Sequence, residues 1–195
     1  KAMEQLDKRQ LILAAAGDVF ATQGYHRATI EQIAEKAGVG KGTVYLYFKS
    51  KKGLFDALLL EGSEWMLKSS REVLSKSDDP LERIRMLIQL HLQIIKRNHP
   101  LMRMIIQEFT PGKLKELRPE LGQRVREYQA LFALVLEEGI ASGHLRQHNP
   151  HVIALALIGA LSQIGANLNN GRLDISLADC EQELLQMFIV GLQKG

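Results

Sequence analysis

The chain has 195 residues, of which 46% are hydrophobic, 24% charged and 6% aromatic, an ordinary soluble composition with enough apolar side chains for a buried core and too few residues for a clear two-lobed enzyme. The net charge is only +3, yet residues 1–53 hold nine Lys and Arg against five acids, an excess of four; this is the asymmetry of a polyanion-binding segment joined to a near-neutral body. Cys180 is the single cysteine, which excludes an internal disulfide and a cysteine zinc site, and neither a secretory start nor an apolar run of about 20 residues is present, so a cytoplasmic protein without a membrane span is expected.

Helical periodicity runs through almost every segment. Ile12, Ala16, Val19 and Phe20 mark one face of a first helix that Gly24 should stop. Thr29-Ile-Glu-Gln32 has the spacing of a capping box and opens a short helix with Ile33 and Ala37 inward, stopped by Gly38. Val39-Gly40 is a tight turn before another short helix, Lys41–Phe48, with Val44 and Phe48 as its inward stripe. Ser50 is a good cap for a long helix from Lys51 to about Ser75, and the polar stretch to Pro80 is a loop.

Beyond it, Leu81–Arg97 carries Ile84, Ile88, His91 and Ile95 on one face. Pro100 restarts a helix through Phe109, and Thr110-Pro-Gly112 breaks it. Leu121, Val125, Tyr128, Phe132, Val135 and Ile140 trace a further long helix ending at Gly143. Pro150–Asn169 is apolar nearly all round, and Ser176 caps a last helix containing Leu184, Leu185, Phe188 and Leu192. The expected architecture is all-α with about nine helices: a head of three at residues 1–53 and a body of six at 54–195.

Two short helices joined by a Gly-containing turn and buttressed by a longer one make a helix-turn-helix. The second short helix offers Lys41, Thr43, Tyr45 and Tyr47 as donors to bases and phosphates, while Gly42 removes a side chain where backbone must approach closely. Lys51 and Lys52 occupy the first turn of a helix, where the macrodipole disfavours cations by about 0.3–1 kcal/mol each. A phosphate would reverse that sign.

The run Gly24-Tyr25…Ala28-Thr-Ile-Glu-Gln-Ile-Ala34…Ala37-Gly-Val-Gly-Lys-Gly-Thr-Val-Tyr-Leu-Tyr-Phe48-Lys-Ser-Lys51 resembles the tetracycline-repressor (TetR/AcrR) family of bacterial transcription regulators. The resemblance implies phosphate contacts for Thr29, Tyr47 and Lys51. It implies a major-groove position for Lys41, Thr43 and Tyr45, with Gly42 at the helix start. Gly143-His-Leu-Arg146…Asn149-Pro150 is similar to the loop that commonly precedes that family's dimer helix.

Other signals carry less. The stretch Gly40-Lys41-Gly-Thr43 fails the spacing of a phosphate-binding loop, since Glu35 stands where its first Gly is needed. No nucleotide cofactor is therefore expected. His144, His148 and His151 straddle an interhelical loop, so their apparent helical spacing does not make a metal site. Neither a nucleophile–base pair nor a metal cluster marks the body as an enzyme. Trp65, His91, Ile95, Met102, Gln107, Tyr128, Phe132 and Gln163 are either core packing or the lining of an apolar effector pocket.

Pro150–Asn169 is rich in Ala and Gly, and its apolar circumference demands more partners than one chain supplies. Residues 150–169 and 176–193 are thus expected to form a two-fold four-helix interface between two copies. These features converge on a homodimeric repressor that binds a near-palindromic duplex operator and is released by a largely apolar small-molecule effector. A ligand-independent architectural protein on the same fold is the alternative.

Overall fold

A computed structural model describes residues 2–97, 119–169 and 174–191, and every element in it is helical. They are α1 (Ala2–Gln23), α2 (Ile30–Ala37), α3 (Lys41–Tyr47), α4 (Lys51–Leu74), α5 (Pro80–Arg97), α6 (Pro119–Ala141), α7 (Pro150–Asn169) and α8 (Leu177–Leu185). The helix expected at Pro100–Phe109 and the break after it lie outside the described residues. The last helix departs from expectation: α8 gives way to a π-helical turn at Gln186–Val190. Spacing rules assume a uniform turn, and nothing in the sequence marks the change of period.

The chain divides into two compact units, and among the described residues the divisions fall inside α4, between Ser63 and Glu64, and inside α6, between Gly122 and Gln123. The reason is packing. Leu54, Phe55 and Leu59 of α4 belong to the same buried cluster as Ile12, Phe20, Ile33, Val44 and Phe48. Phe20 and Phe55 meet edge to face at 5.4 Å, and Tyr25 lies 4.9 Å from Phe55. Each of the large apolar side chains in this cluster contributes about 1.5–3 kcal/mol by leaving water.

The turns of the first unit are set locally. Gly24 adopts φ +79°, and its N–H donates to the Phe20 carbonyl at 2.9 Å. Thr29 Oγ1 accepts from the Gln32 N–H at 3.3 Å, while Gln32 Oε1 accepts from the Thr29 N–H at 2.9 Å, closing the expected capping box. At the other end of α2, Gly38 sits at φ +66°. Its N–H donates to Glu35 and that of Val39 to Ala34, the two reverse bonds of a Schellman stop. The α2–α3 turn is therefore fixed by backbone geometry that only glycine adopts without strain.

The second unit packs Ile84, Leu87, Ile88 and Leu92 of α5 against Tyr128, Phe132 and Leu136 of α6, Ala154, Leu157 and Leu161 of α7, and Leu184 of α8. After α6, Gly143 at φ +79° reverses the chain so that the Leu145 N–H donates to the Gly139 carbonyl at 2.9 Å. Leu145 is buried directly over Gly139. A methyl group at position 139 would stand 2.6 Å from Leu145 Cδ1 and 2.8 Å from its Cγ. Leu145 cannot retreat, because its backbone is tied to residue 139. Gly139→Ala is therefore expected to destabilise by about 1–3 kcal/mol despite alanine's better helix propensity. Denaturant unfolding at unchanged m-value tests this, and a stabilised variant would contradict it.

Candidate nucleic-acid interface

Helix α3 is anchored by Val44, which is fully buried, and by Phe48 just past its end. That leaves Lys41, Gly42, Tyr45 and Leu46 exposed, with Thr43 and Tyr47, one turn apart, half-buried on one flank. Nothing lies within 4 Å of the place a Cβ would occupy at Gly42, so the backbone there is open to close approach. Tyr47 rests against the first core, 6.4 Å from the Phe48 ring. The expected contact residues of α3 thus occupy one continuous surface. Leu46, which the sequence reading passed over, shares it.

Three of the expected contact residues, Lys41, Thr29 and Lys51, are already engaged within the chain. Lys41 pairs with Glu31 of α2 and lies 5.9 Å from the Tyr45 ring centroid. Their hydrogen bond holds the Glu31 carboxyl below its usual range and the Lys41 ammonium above its own. Thr29, at the exposed start of α2, spends its hydroxyl on the capping box, accepting from the backbone and donating to Gln32 Oε1 at 3.2 Å.

Lys51 has partners that its place in the sequence does not announce. Its ammonium donates to the carbonyls of Tyr25 at 2.9 Å, His26 at 3.2 Å and Ala28 at 3.0 Å, which uses all three protons. It also stands 4.8 Å from the Tyr25 ring centroid. In the free chain a cluster of backbone carbonyls offsets its unfavourable place at a helix start. Lys51 clamps the α1–α2 turn onto α4. Only folding brings residues 25–28 to position 51, so the sequence carries no sign of it. The neighbouring Lys52 pairs with the buried carboxylate of Asp56 at 3.1 Å.

The residues expected to line an effector pocket separate into two sets. His91, Tyr128 and Phe132 are buried together. His91 Nδ1 and the Tyr128 hydroxyl share a 2.6 Å hydrogen bond, and the Phe132 ring meets Tyr128 edge to face at 5.3 Å. Trp65 and Gln163 are exposed instead, because each falls on the outer face of its helix. Ile95, Met102 and Gln107 lie outside the described side chains. A cavity of about 550 Å³ does open between α5 and α8, lined by Arg85, Glu181, Leu185 and Val190 among others. None of the expected pocket residues whose side chains are described, Trp65, His91, Tyr128, Phe132 and Gln163, borders it.

Burial depresses His91 to about pKa 4 and raises the Tyr128 phenol well above its ordinary value. Lowering the folded-state pKa of a histidine means that the unfolded chain binds the extra proton first. Stability should therefore be complete above about pH 6.5 and decline as pH falls toward 4, by about 3 kcal/mol in all. His91→Phe should flatten that limb of the stability profile. An unchanged acid limb in urea titrations from pH 7 to 4 would refute the assignment to His91.

On α7, Val152, Leu155, Ala156 and Gly159 are exposed along one face, opposite the buried Ala154, Leu157 and Leu161. Met187 and Val190 of the π-helical turn are exposed as well. His144 and His148 sit in the reversal after α6. His144 Nδ1 is 2.8 Å from Ser142 Oγ, and His148 Nδ1 donates to the Arg146 carbonyl at 2.6 Å. His151, in the first turn of α7, faces Glu137 at 3.8 Å. No helix among the described residues is long and apolar enough to cross a membrane.

Residues 12–58 match the family model described as bacterial regulatory proteins, tetR family, and residues 77–166 match that of a tetracyclin repressor-like C-terminal domain. The fatty acid metabolism regulator protein of Bacillus subtilis is 30% identical over 140 residues, 72% of each chain. The transcriptional repressor KstR2 of Mycolicibacterium smegmatis is 27% identical over 142 residues, covering 71% of this chain and 68% of the relative. Among solved structures, the regulator FadR of B. subtilis in complex with stearoyl-CoA superposes with a TM-score of 0.79 at 24% identity, over 94% of this chain and 99% of that one.

Proposed function

The chain belongs to the TetR family of bacterial regulatory proteins, and we propose that it is a cytoplasmic, homodimeric repressor which leaves its operator when an apolar effector binds. Residues 1–53 dock on duplex DNA, and residues 54–195 hold the effector and the partner copy. Lys41, Gly42, Thr43 and Tyr45 face base edges in the major groove. Thr29 and Tyr47 meet the sugar-phosphate rails on either side. Lys51 acts on DNA through the turn it holds. Regulation, not catalysis, is the family's role, and none of the site residues above is assigned a chemical step.

The observation that carries this reading is the exposed surface of α3, turned out from a buried Val44–Phe48 seam and set in the segment that holds the chain's positive excess. Two such heads on a two-fold axis call for a near-palindromic site. Segments 150–169 and 176–193 pack on a second copy, which covers the exposed apolar face of α7 together with Met187 and Val190. Relatedness to a regulator of fatty acid metabolism favours an acyl chain as effector.

By linkage, an effector that prefers a body conformation with wrongly spaced heads weakens DNA binding, and DNA weakens effector binding by the same factor. The test begins with selection of an operator from random duplexes by the full chain. Log affinity should then fall linearly and steeply with log salt, and stearoyl-CoA should reduce operator binding. A salt profile without slope would overturn the DNA reading. Indifference to long-chain acyl-CoA would overturn the effector assignment alone.

A further inference from the structure

Leu46 is 78% exposed, the most exposed of the large hydrophobic side chains among the described residues. A single exposed leucine is ordinary, and leucine is a good helix former, so exposure alone decides nothing. Position and company do. Two residues after the fully buried Val44, Leu46 points about 200° around the helix from it, directly away from the seam that anchors α3. Its neighbours on that face are Gly42 and the half-buried Thr43 one turn back, with the 44%-exposed Tyr45 to one side.

Gly42 lies one turn before Leu46, and helical side chains lean toward the helix N-terminus. The space a side chain at 42 would fill is open. A base-pair edge can therefore come down over Gly42 beside the Leu46 methyls, with the half-buried Thr43 as the other side chain one turn back. Leucine has no donor or acceptor, so it cannot read base nitrogens or oxygens and gains nothing from a phosphate. In the major groove the apolar feature available to it is the C5-methyl group of thymine.

Resting on the DNA-binding reading above, we infer that Leu46 is a specificity-determining residue that selects thymine at one position of each half-site through its C5-methyl group. Burying one methyl in such a contact strengthens binding about fourfold, and two symmetric half-sites together give more than tenfold.

Deoxyuridine provides the test, since it removes the methyl group and keeps every base-pairing and hydrogen-bonding atom. With an operator selected by the wild-type chain, thymines are replaced by deoxyuridine one symmetric pair at a time, and affinities are measured for wild type, Leu46→Ala and Leu46→Gln. The expected result is a pair at which deoxyuridine weakens wild type about tenfold and leaves both variants unmoved, with an unchanged salt slope. Leu46 is solvent-exposed, so both variants should fold, and retention of the wild-type melting temperature verifies it. Wild type bound equally tightly to every deoxyuridine duplex would overturn the inference, as would variants with full sensitivity to the missing methyl. Neither outcome touches the DNA-binding reading, which fails separately if no sequence is enriched and binding ignores salt.

Discussion

Lys51→Met should lower the melting temperature by about 5–10 °C and loosen the head before any DNA is added. The substitution keeps most of the aliphatic stem and removes the ammonium that ties the Tyr25, His26 and Ala28 carbonyls to α4. Hydrogen bonds from a charged donor are each worth about 1.5–3 kcal/mol, but part of this turn faces solvent, and water replaces some of what is lost. A net cost of about 2–3 kcal/mol is expected, and at this chain length that corresponds to the stated shift. Lys51→Arg should recover part of it, since the charge remains while the fork geometry fits three converging carbonyls less well.

Operator binding by Lys51→Met should weaken because the α1–α2 turn positions α2 and its cap at Thr29. A direct phosphate contact makes a different forecast: undiminished thermal stability, uniformly weaker DNA binding and a salt slope reduced by about one. Thermal melts of the free protein, paired with salt titrations of the complex, separate the two roles. A variant that melts like wild type would return Lys51 to the phosphate backbone.

Placing a carboxylate on the exposed face of α7 should have the larger effect on function. Val152→Asp with Leu155→Asp leaves the buried side of the helix untouched, so each protomer should fold. In a two-fold interface the four new carboxylates are buried on one patch shared by both copies, and like charges brought together there cost several kcal/mol. Sedimentation at micromolar concentration should show a monomer. Operator affinity should fall about 100-fold or more, because the second half-site no longer binds as part of one molecule, while affinity for an isolated half-site stays the same. A dimer that survives both substitutions would place the interface elsewhere on the molecule.

Much of the head was legible in the sequence because its signals are local. Thr29 and Gln32 lie three residues apart, and a capping box needs nothing beyond that separation. Gly24, Gly38 and Gly143 stop their helices where expected, since a positive φ excludes ordinary side chains whatever surrounds them. The Val44–Phe48 spacing fixed which side of α3 turns inward, and with it which residues stay outside. Leu46 was visible by the same arithmetic. Leucine offers no hydrogen bond, so its place on that face carries no chemical signal in the sequence.

The body was legible only in outline. Period assigned the helices, but a residue on an apolar-looking stretch can face the core or the solvent depending on what packs beside it. Tyr128 and Phe132 went inward with His91, and Trp65 and Gln163 went outward. The π-helical turn after α8 had no marker in the chain.

The sequence by itself determined the helices, their caps and stops, the basic head and the family, because each depends on residues within a turn or two of one another or on a contiguous motif. Tertiary structure alone decided that Lys51 serves a carbonyl cluster 23–26 positions away, that Lys41 answers to Glu31, and that the His91–Tyr128 pair is sealed in the core. A charged or polar group finds its partner through space, and linear distance says nothing about which carbonyl or carboxylate the fold will bring within 3 Å.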